Sequence, residues 1–231
     1  MQSNNRGKLM DNRSAFNVNQ YDENVRRVIP FYDEIYDQIF RLILTYFCGK
    51  EISVLDTGCG TGTFGLKANE CLRLSELVLC DPSEKMLIDA RKKLNEHPCE
   101  FICKGSEALS FENRFDVVTA IQSHHYFDKA SRERAVRNCY NALKPKGLFI
   151  CFENTAPFSD IGKDILLKQV ESFGLEAGRT PDEVKAHSAR YNREYFPITI
   201  NEHLDLLKNT GFTVSELFWH SYMQSGFYAV K

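Results

Sequence analysis

A glycine loop placed directly behind a short apolar run limits this chain more than any other feature. Ile52-Ser53-Val54-Leu55 reads as a buried strand, Asp56 sits at its end, and Gly58, Gly60 and Gly62 follow at once. Alternating glycines let a backbone take positive φ and come close to a ligand. Phe64 to Leu72 is expected to be a helix, whose first turn would point N–H groups at the loop. Strand, glycine turn and helix together make a nucleotide-binding corner, so the chain is expected to be an α/β protein.

The acids around the loop narrow the ligand. Gly60-Thr61-Gly62-Thr63-Phe64-Gly65 fits the G-x-G-x-x-G dinucleotide pattern. Asp56, however, would repel a pyrophosphate and suits a ligand carrying an ammonium or sulfonium. Asp81 ends a second apolar run, Leu77 to Cys80, where a carboxylate can take both ribose hydroxyls. Asp56-Thr57-Gly58-Cys59-Gly60-Thr61-Gly62 followed by Asp81 resembles motif I and the ribose acid of class I S-adenosylmethionine (SAM) methyltransferases. That resemblance implies SAM as cofactor, held by Asp56, Gly58, Cys59, Gly60, Gly62, Asp81 and Pro82, with Gln122 beside them. It also puts Ser106 and Glu107 at the adenine, with Ser106 standing where the class usually presents Asp.

The remaining chain repeats strand and helix. Ser83 and Asp128 are expected to cap helices. Cys99–Cys103, Phe115–Ile121 and Leu148–Phe152 read as further strands, the last entered through the turn Lys144-Pro145-Lys146-Gly147. Such repetition calls for a parallel sheet with helices on both faces. Phe212–Trp219 and Gly226–Val230 are separated by too short a link for anything but an antiparallel hairpin. The expected fold is therefore a Rossmann-like seven-stranded sheet, mostly parallel, with an antiparallel C-terminal hairpin. Residues 1–47 are expected to form an N-terminal helical cap, with helical pieces at Tyr21–Val28 and Pro30–Phe47. Residues 48–231 are then the SAM-binding domain, carrying a substrate-cap insertion at about 154–198 with helices near 160–174 and 181–190.

Bulk properties exclude several classes. The chain has 231 residues and a formal net charge of −2, so it has no global attraction for nucleic acid. Its eight cysteines form no C-x-x-C pair, so no metal site is expected and the thiols read as reduced core residues of a cytosolic protein. The polar N-terminus has no apolar core of a secretory signal, and no run is long enough to span a bilayer. A cytoplasmic enzyme with a small-molecule partner is expected, with no membrane association.

The candidate acceptor side comes from three places. His124 and His125, in Gln122-Ser123-His124-His125-Tyr126-Phe127, follow the fourth strand, where one of them could serve as a general base. Tyr21 and Tyr36 in the cap and Tyr126 beside the histidines could seal or hold substrate. Arg190 and Arg193, in the insertion, could bind an acid through a planar fork. Arg91-Lys92-Lys93, Arg132, Arg134 and Arg137 fall on polar helix faces and are expected to be solvated.

The layout also resembles the carboxy-SAM synthase and wobble-uridine oxyacetyl methyltransferase group. The matching pieces are Arg27-Val28-Ile29-Pro30-Phe31-Tyr32, the glycine loop, Asp81-Pro82 and Gly211-Phe212 through Lys231. This narrower resemblance implies that Tyr32 touches the cofactor and that Arg190 reads an extra carboxylate on carboxy-SAM. The expected activity is methyl transfer from SAM to a small molecule. The alternatives are tRNA wobble-uridine modification using SAM or carboxy-SAM, and a SAM-binding protein without turnover.

Overall fold

A computed structural model describes residues 24–231. The expectations for residues 1–23, Tyr21 among them, lie outside the described residues. Asn24 is followed by a single 3-10 turn, Val25–Arg27. Helix α1 spans Tyr32–Phe47 rather than starting at Pro30, because Phe31 takes a left-handed φ of 57° and breaks the path from the proline. Ile35, Ile39 and Ile43 recur at helical spacing and are at most 1 % exposed. Each such side chain contributes about 2 kcal/mol of burial, which pins α1 on the sheet.

The sheet is built from β1 (Ile52–Thr57), β2 (Leu74–Cys80), β3 (Glu100–Ile102), β4 (Phe115–Ile121), β5 (Leu143–Ala156), β7 (Val214–Ser221) and β8 (Gln224–Val230). Their order is β3-β2-β1-β4-β5-β8-β7, and the two-residue β6 (Ile198–Thr199) pairs with β5 off this path. All neighbours run parallel except β8, which is antiparallel to both β5 and β7. The order reverses between β1 and β4, and the crevice at their carboxyl ends is where such sheets bind ligands. The glycine loop leaves β1 at that point.

Helices α2 (Thr63–Cys71), α3 (Glu84–Lys93) and α4 (Lys129–Ala142) link the parallel strands. Ser83 caps α3 by accepting from the Met86 amide, and Asp128 caps α4 by accepting from Ser131. The insertion holds α5 (Asp160–Glu176) and α6 (Pro181–Ser188), and α7 (Ile200–Thr210) starts at a capping box of Thr199 and Glu202.

Several boundaries differ from the sequence reading. Strand β5 extends beyond 148–152 on both sides because it pairs with β4, β6 and β8 along its length. The hairpin turns on Tyr222 and Met223, with Tyr222 at φ 52°, so no Asn-Gly or Gly pair marks it.

Arg132 is not solvated, whereas Arg137 is exposed on α4 as expected and also bonds backbone. Arg132 is 4 % exposed and donates to the backbone carbonyls of His124, Phe127 and Phe196. Arg137 donates to the carbonyls of Asn209 and Thr210, at the end of α7. In both cases the partner comes from chain that folds back much later. Among the described residues no helix is long and apolar enough to cross a membrane, and all eight cysteines are free thiols.

Candidate functional site

The corner after β1 is tied together by its own backbone. The amides of Gly58 and Cys59 donate to the Cys80 carbonyl, at 2.7 and 2.9 Å, which fixes the loop against the end of β2. The Gly60 amide donates to Asp81 Oδ2 at 2.9 Å, and the Ser83 amide to Asp81 Oδ1 at 2.8 Å. These three loop amides are already engaged, while the start of α2 at Thr63 carries no side-chain cap. Gly58, Gly60 and Gly62 all have positive φ, of 75°, 55° and 81°.

The three glycines serve different ends. A Cβ on Gly58 would lie 2.5 Å from Ser123 Cβ, and one on Gly62 would lie 2.9 Å from Leu94 Cδ1. Nothing comes within 4 Å of a Cβ on Gly60, so its bare face borders open space. Gly58→Ala combines left-handed strain with overpacking and should cost about 2–5 kcal/mol. Urea unfolding of the variant checks this, and a loss under about 1 kcal/mol would mean that Ser123 simply moves aside.

Both acids of the corner are buried. Asp56 is 2 % exposed and accepts from Thr119 Oγ1 at 2.7 Å. Burial pushes its pKa up to about 7, against the Thr119 bond, with the charge of Asp81 adding to the rise. Burial also raises the pKa of Asp81, opposed by the amides of Ser83 and Gly60. Among the described residues no Lys or Arg pairs with either carboxylate. Lys93 reaches the loop at the Thr61 and Thr63 hydroxyls but pairs with neither acid, so two buried carboxylates suit a ligand with its own positive charge and paired hydroxyls. Glu107 adds a third feature, since its Oε2 is buried with no hydrogen-bond partner. These observations fit an adenosyl ligand with a cationic end. Pro82 is exposed directly after Asp81.

Ser106 does not face such a ligand freely. Its hydroxyl bonds His124 Nε2 at 3.0 Å, and its carbonyl accepts from Asn138 at 3.0 Å. His124 is 2 % exposed, and burial pushes its pKa down to about 4. Tyr32 and Tyr36 lie one turn apart on α1 with hydroxyls 3.2 Å apart, and both are buried. Lys67 of α2 lies over the Tyr36 ring. Tyr36 and the exposed Arg193 are outside the neighbouring cavity.

That cavity encloses about 790 Å³, part of it open to solvent. Val28, Ile29 and Pro30 wall it from the N-terminal side, Leu167 and Val170 from α5, and Met223 from the hairpin turn. Its polar lining includes His125, Tyr126, His187, Ser188, Arg190 and Tyr195. Gln122, at φ 54° directly after β4, also lines it. Gln122 thus stands beside Ser123, which packs on Gly58, and joins cavity to glycine corner. Arg190 Nε donates to Glu194 at 2.6 Å, and its guanidinium also bonds the Tyr126 hydroxyl. His187 Nδ1 and Ser188 Oγ are buried with no hydrogen-bond partner. The structure therefore brings His125, Tyr126, Arg190 and Gln122 together.

Sequence reasoning missed Glu153, Asn154 and Gln224. Glu153 is 0 % exposed and accepts from the amides of His124 and His125 and from His125 Nδ1. Gln122 Nε2 donates to Gln224 Oε1, and Gln224 Nε2 to Asn154 Oδ1 at 2.6 Å. The one available signal was an acid ending the apolar run Leu148 to Phe152.

Comparison with known proteins agrees with this geometry. Residues 54–147 match the methyltransferase domain family. The chain is 27% identical over 210 residues to a carboxy-S-adenosyl-L-methionine synthase of Trichodesmium erythraeum, covering 87% of this chain and 82% of the relative. It is 26% identical over 223 residues to the synthase of that name from Staphylococcus epidermidis, covering 95% and 96%. Among solved structures, magnesium protoporphyrin IX methyltransferase of Synechocystis with bound SAH superposes with a TM-score of 0.62 at 15% identity, covering 89% of this chain and 86% of that one.

Proposed function

We propose that this chain, a class I SAM-dependent methyltransferase, methylates a small molecule held in the cavity beside Gln122. The observation that carries the reading is the junction itself. A part-open cavity of mixed polar and apolar lining meets the glycine corner at Gln122, walled by the N-terminal segment, the insertion and the hairpin turn. When bound, SAM supplies an electrophilic methyl group.

In this reading Asp81 takes the ribose hydroxyls, Gly60 lets the ligand approach, Glu107 receives the adenine amine, and Asp56 faces the ammonium. Tyr32 and Pro82 flank it, and Gln122 stands where donor and acceptor meet. The cavity wall excludes water and aligns the acceptor with the methyl carbon, and alignment is where most of the rate enhancement of such a displacement arises. Residues 48–231 form the catalytic domain, and residues 24–47 with about 154–198 form its cap.

A second reading, that the ligand is carboxy-SAM, is supported by the near full-length similarity to carboxy-SAM synthases and by Arg190 in the cavity wall. Mass spectrometry of the nucleoside released from purified protein separates the two. SAM or S-adenosylhomocysteine (SAH) supports methyl transfer, carboxy-SAM puts the second reading first, and a nicotinamide overturns both.

Asp56 gives an independent test. With its pKa near 7, the ligand-free protein holds a proton there at pH 6. An ammonium beside it favours the ionised form, so SAH binding at pH 6 should release close to one proton. Calorimetry in buffers of different ionisation enthalpy measures this. Binding without proton release would remove Asp56 from the site, and no binding would overturn the cofactor assignment.

A further inference from the structure

The polar groups along the cavity floor form one chain with a single direction. Gln122 Nε2 donates to Gln224 Oε1 and Gln224 Nε2 donates to Asn154 Oδ1. Asn154 Nδ2 lies 3.3 Å from His125 Nε2, and His125 Nδ1 lies 2.7 Å from Glu153 Oε2. The chain ends on Glu153, whose oxygens also accept the amides of His124 at 3.1 Å and His125 at 2.9 Å. Burial would raise the Glu153 pKa, but the His125 bond and the neighbouring histidines hold it below the usual carboxylate range. An ionised carboxylate can only accept. Nδ1 lies 2.7 Å from Glu153 Oε2 but 3.4 Å from the Asn154 backbone amide, and the shorter, charge-assisted bond sets the tautomer. His125 therefore carries its proton on Nδ1, and its Nε2 keeps a lone pair on the cavity side.

From this geometry we infer that Glu153 is a positioning residue that makes His125 Nε2 the proton acceptor for the bound substrate, and that the substrate presents a hydroxyl there. The inference rests on the methyltransferase reading and names the acceptor atom that reading leaves open.

The hydroxyl follows from what lines the spot. Among the described residues the partner of Nε2 is the Asn154 amide, and 3.3 Å is a long bond that a ligand displaces at small cost. A group entering between the two must donate to Nε2 and accept from Asn154 Nδ2. A hydroxyl does both at once, having one donor and two lone pairs. An ammonium could only donate, a neutral amine has a single lone pair and cannot both accept from Asn154 and attack, and a carbon nucleophile would leave the amide unpaired. A hydroxyl also needs a base more than a thiol does, because its proton is far less acidic. As the O–H bond breaks, the proton passes to Nε2 and the electron pair stays on the substrate oxygen. That pair would form the new O–CH3 bond while the C–S bond of bound SAM would break, its pair going to sulfur and SAH leaving. The resulting imidazolium is held by Glu153 and returns its proton to water.

Two measurements test this. Histidine-selective 15N NMR of the full chain reports the ring tautomer of each histidine, and His125 is expected as the Nδ1–H form. Glu153→Asp draws the carboxylate back by one methylene and should let the Nε2–H form appear, with SAH affinity unchanged. His125 as Nε2–H in the wild type, or an Asp variant that keeps the wild-type tautomer, overturns the positioning role. In the second, 13C-methyl SAM is incubated with the protein and a small-molecule extract, and the shift of the labelled carbon shows its bonding partner. Methyl on oxygen is expected, while methyl on sulfur, nitrogen or carbon overturns the hydroxyl assignment. SAH calorimetry on the same samples shows separately whether the cofactor reading has failed.

Discussion

Asp81→Ala is expected to leave the chain folded while weakening SAH binding by at least about 100-fold. The Asp81 carboxylate holds the Gly60 amide on one oxygen and the Ser83 amide on the other, so it sets the separation of the glycine loop and the start of α3. A ribose diol presented to the remaining lone pairs makes two charge-assisted hydrogen bonds. Each such bond contributes about 1.5–3 kcal/mol, and losing both corresponds to a factor of at least about 100. Folding should survive because Gly58 and Cys59 remain tied to the Cys80 carbonyl and Ser83 keeps its side-chain cap on Met86. Calorimetry with SAH, beside a thermal melt of the ligand-free variant, measures both halves. Unchanged affinity in a folded variant would falsify the ribose role.

Acid should unfold the protein steeply. His124 and His203 are buried and His187 is half-buried with its Nδ1 enclosed, and burial lowers each pKa from 6.5 to about 4. Between those values the unfolded chain binds protons that the folded chain does not, so stability falls as pH falls. Asp56 acts the other way, since its pKa is raised from 3.8 to about 7 and it holds a proton only when folded. Near pH 5 three histidines oppose one carboxyl, and a net difference of about two protons gives about 2.7 kcal/mol lost per pH unit. For a domain of ordinary stability that brings unfolding well above pH 3. Urea midpoints at pH 7, 6 and 5 check the slope, and a flat profile would mean that the three rings find partners for their protons.

The sequence reading matched the structure where order is local. Asp56, the glycines and Asp81 announce themselves because a strand, a tight turn and a strand-end acid each leave a mark within a few residues. It failed where burial is decided by distant chain. Arg132 looks like a surface residue on α4 until the insertion returns and places the Phe196 carbonyl over it. Asn154 and Gln224 are 70 positions apart and meet only because β8 runs antiparallel to β5. Glu153 gives no hint of its role until β5 and the loop after β4 lie side by side. The cofactor corner could therefore be read one-dimensionally, and the cavity could not.

The clamp at Phe196 bears on how the cavity is filled. The Phe196 amide donates to the His125 carbonyl at 2.7 Å, and its own carbonyl is held by Arg132. At its other end the insertion leaves directly from β5, deep in the sheet. It is a strap buckled on both sides, with no free end to peel back. The span between the buckles carries α5 and α6, whose Leu167, Val170 and His187 wall a cavity already part-open to solvent. A small molecule can therefore enter with both buckles fastened.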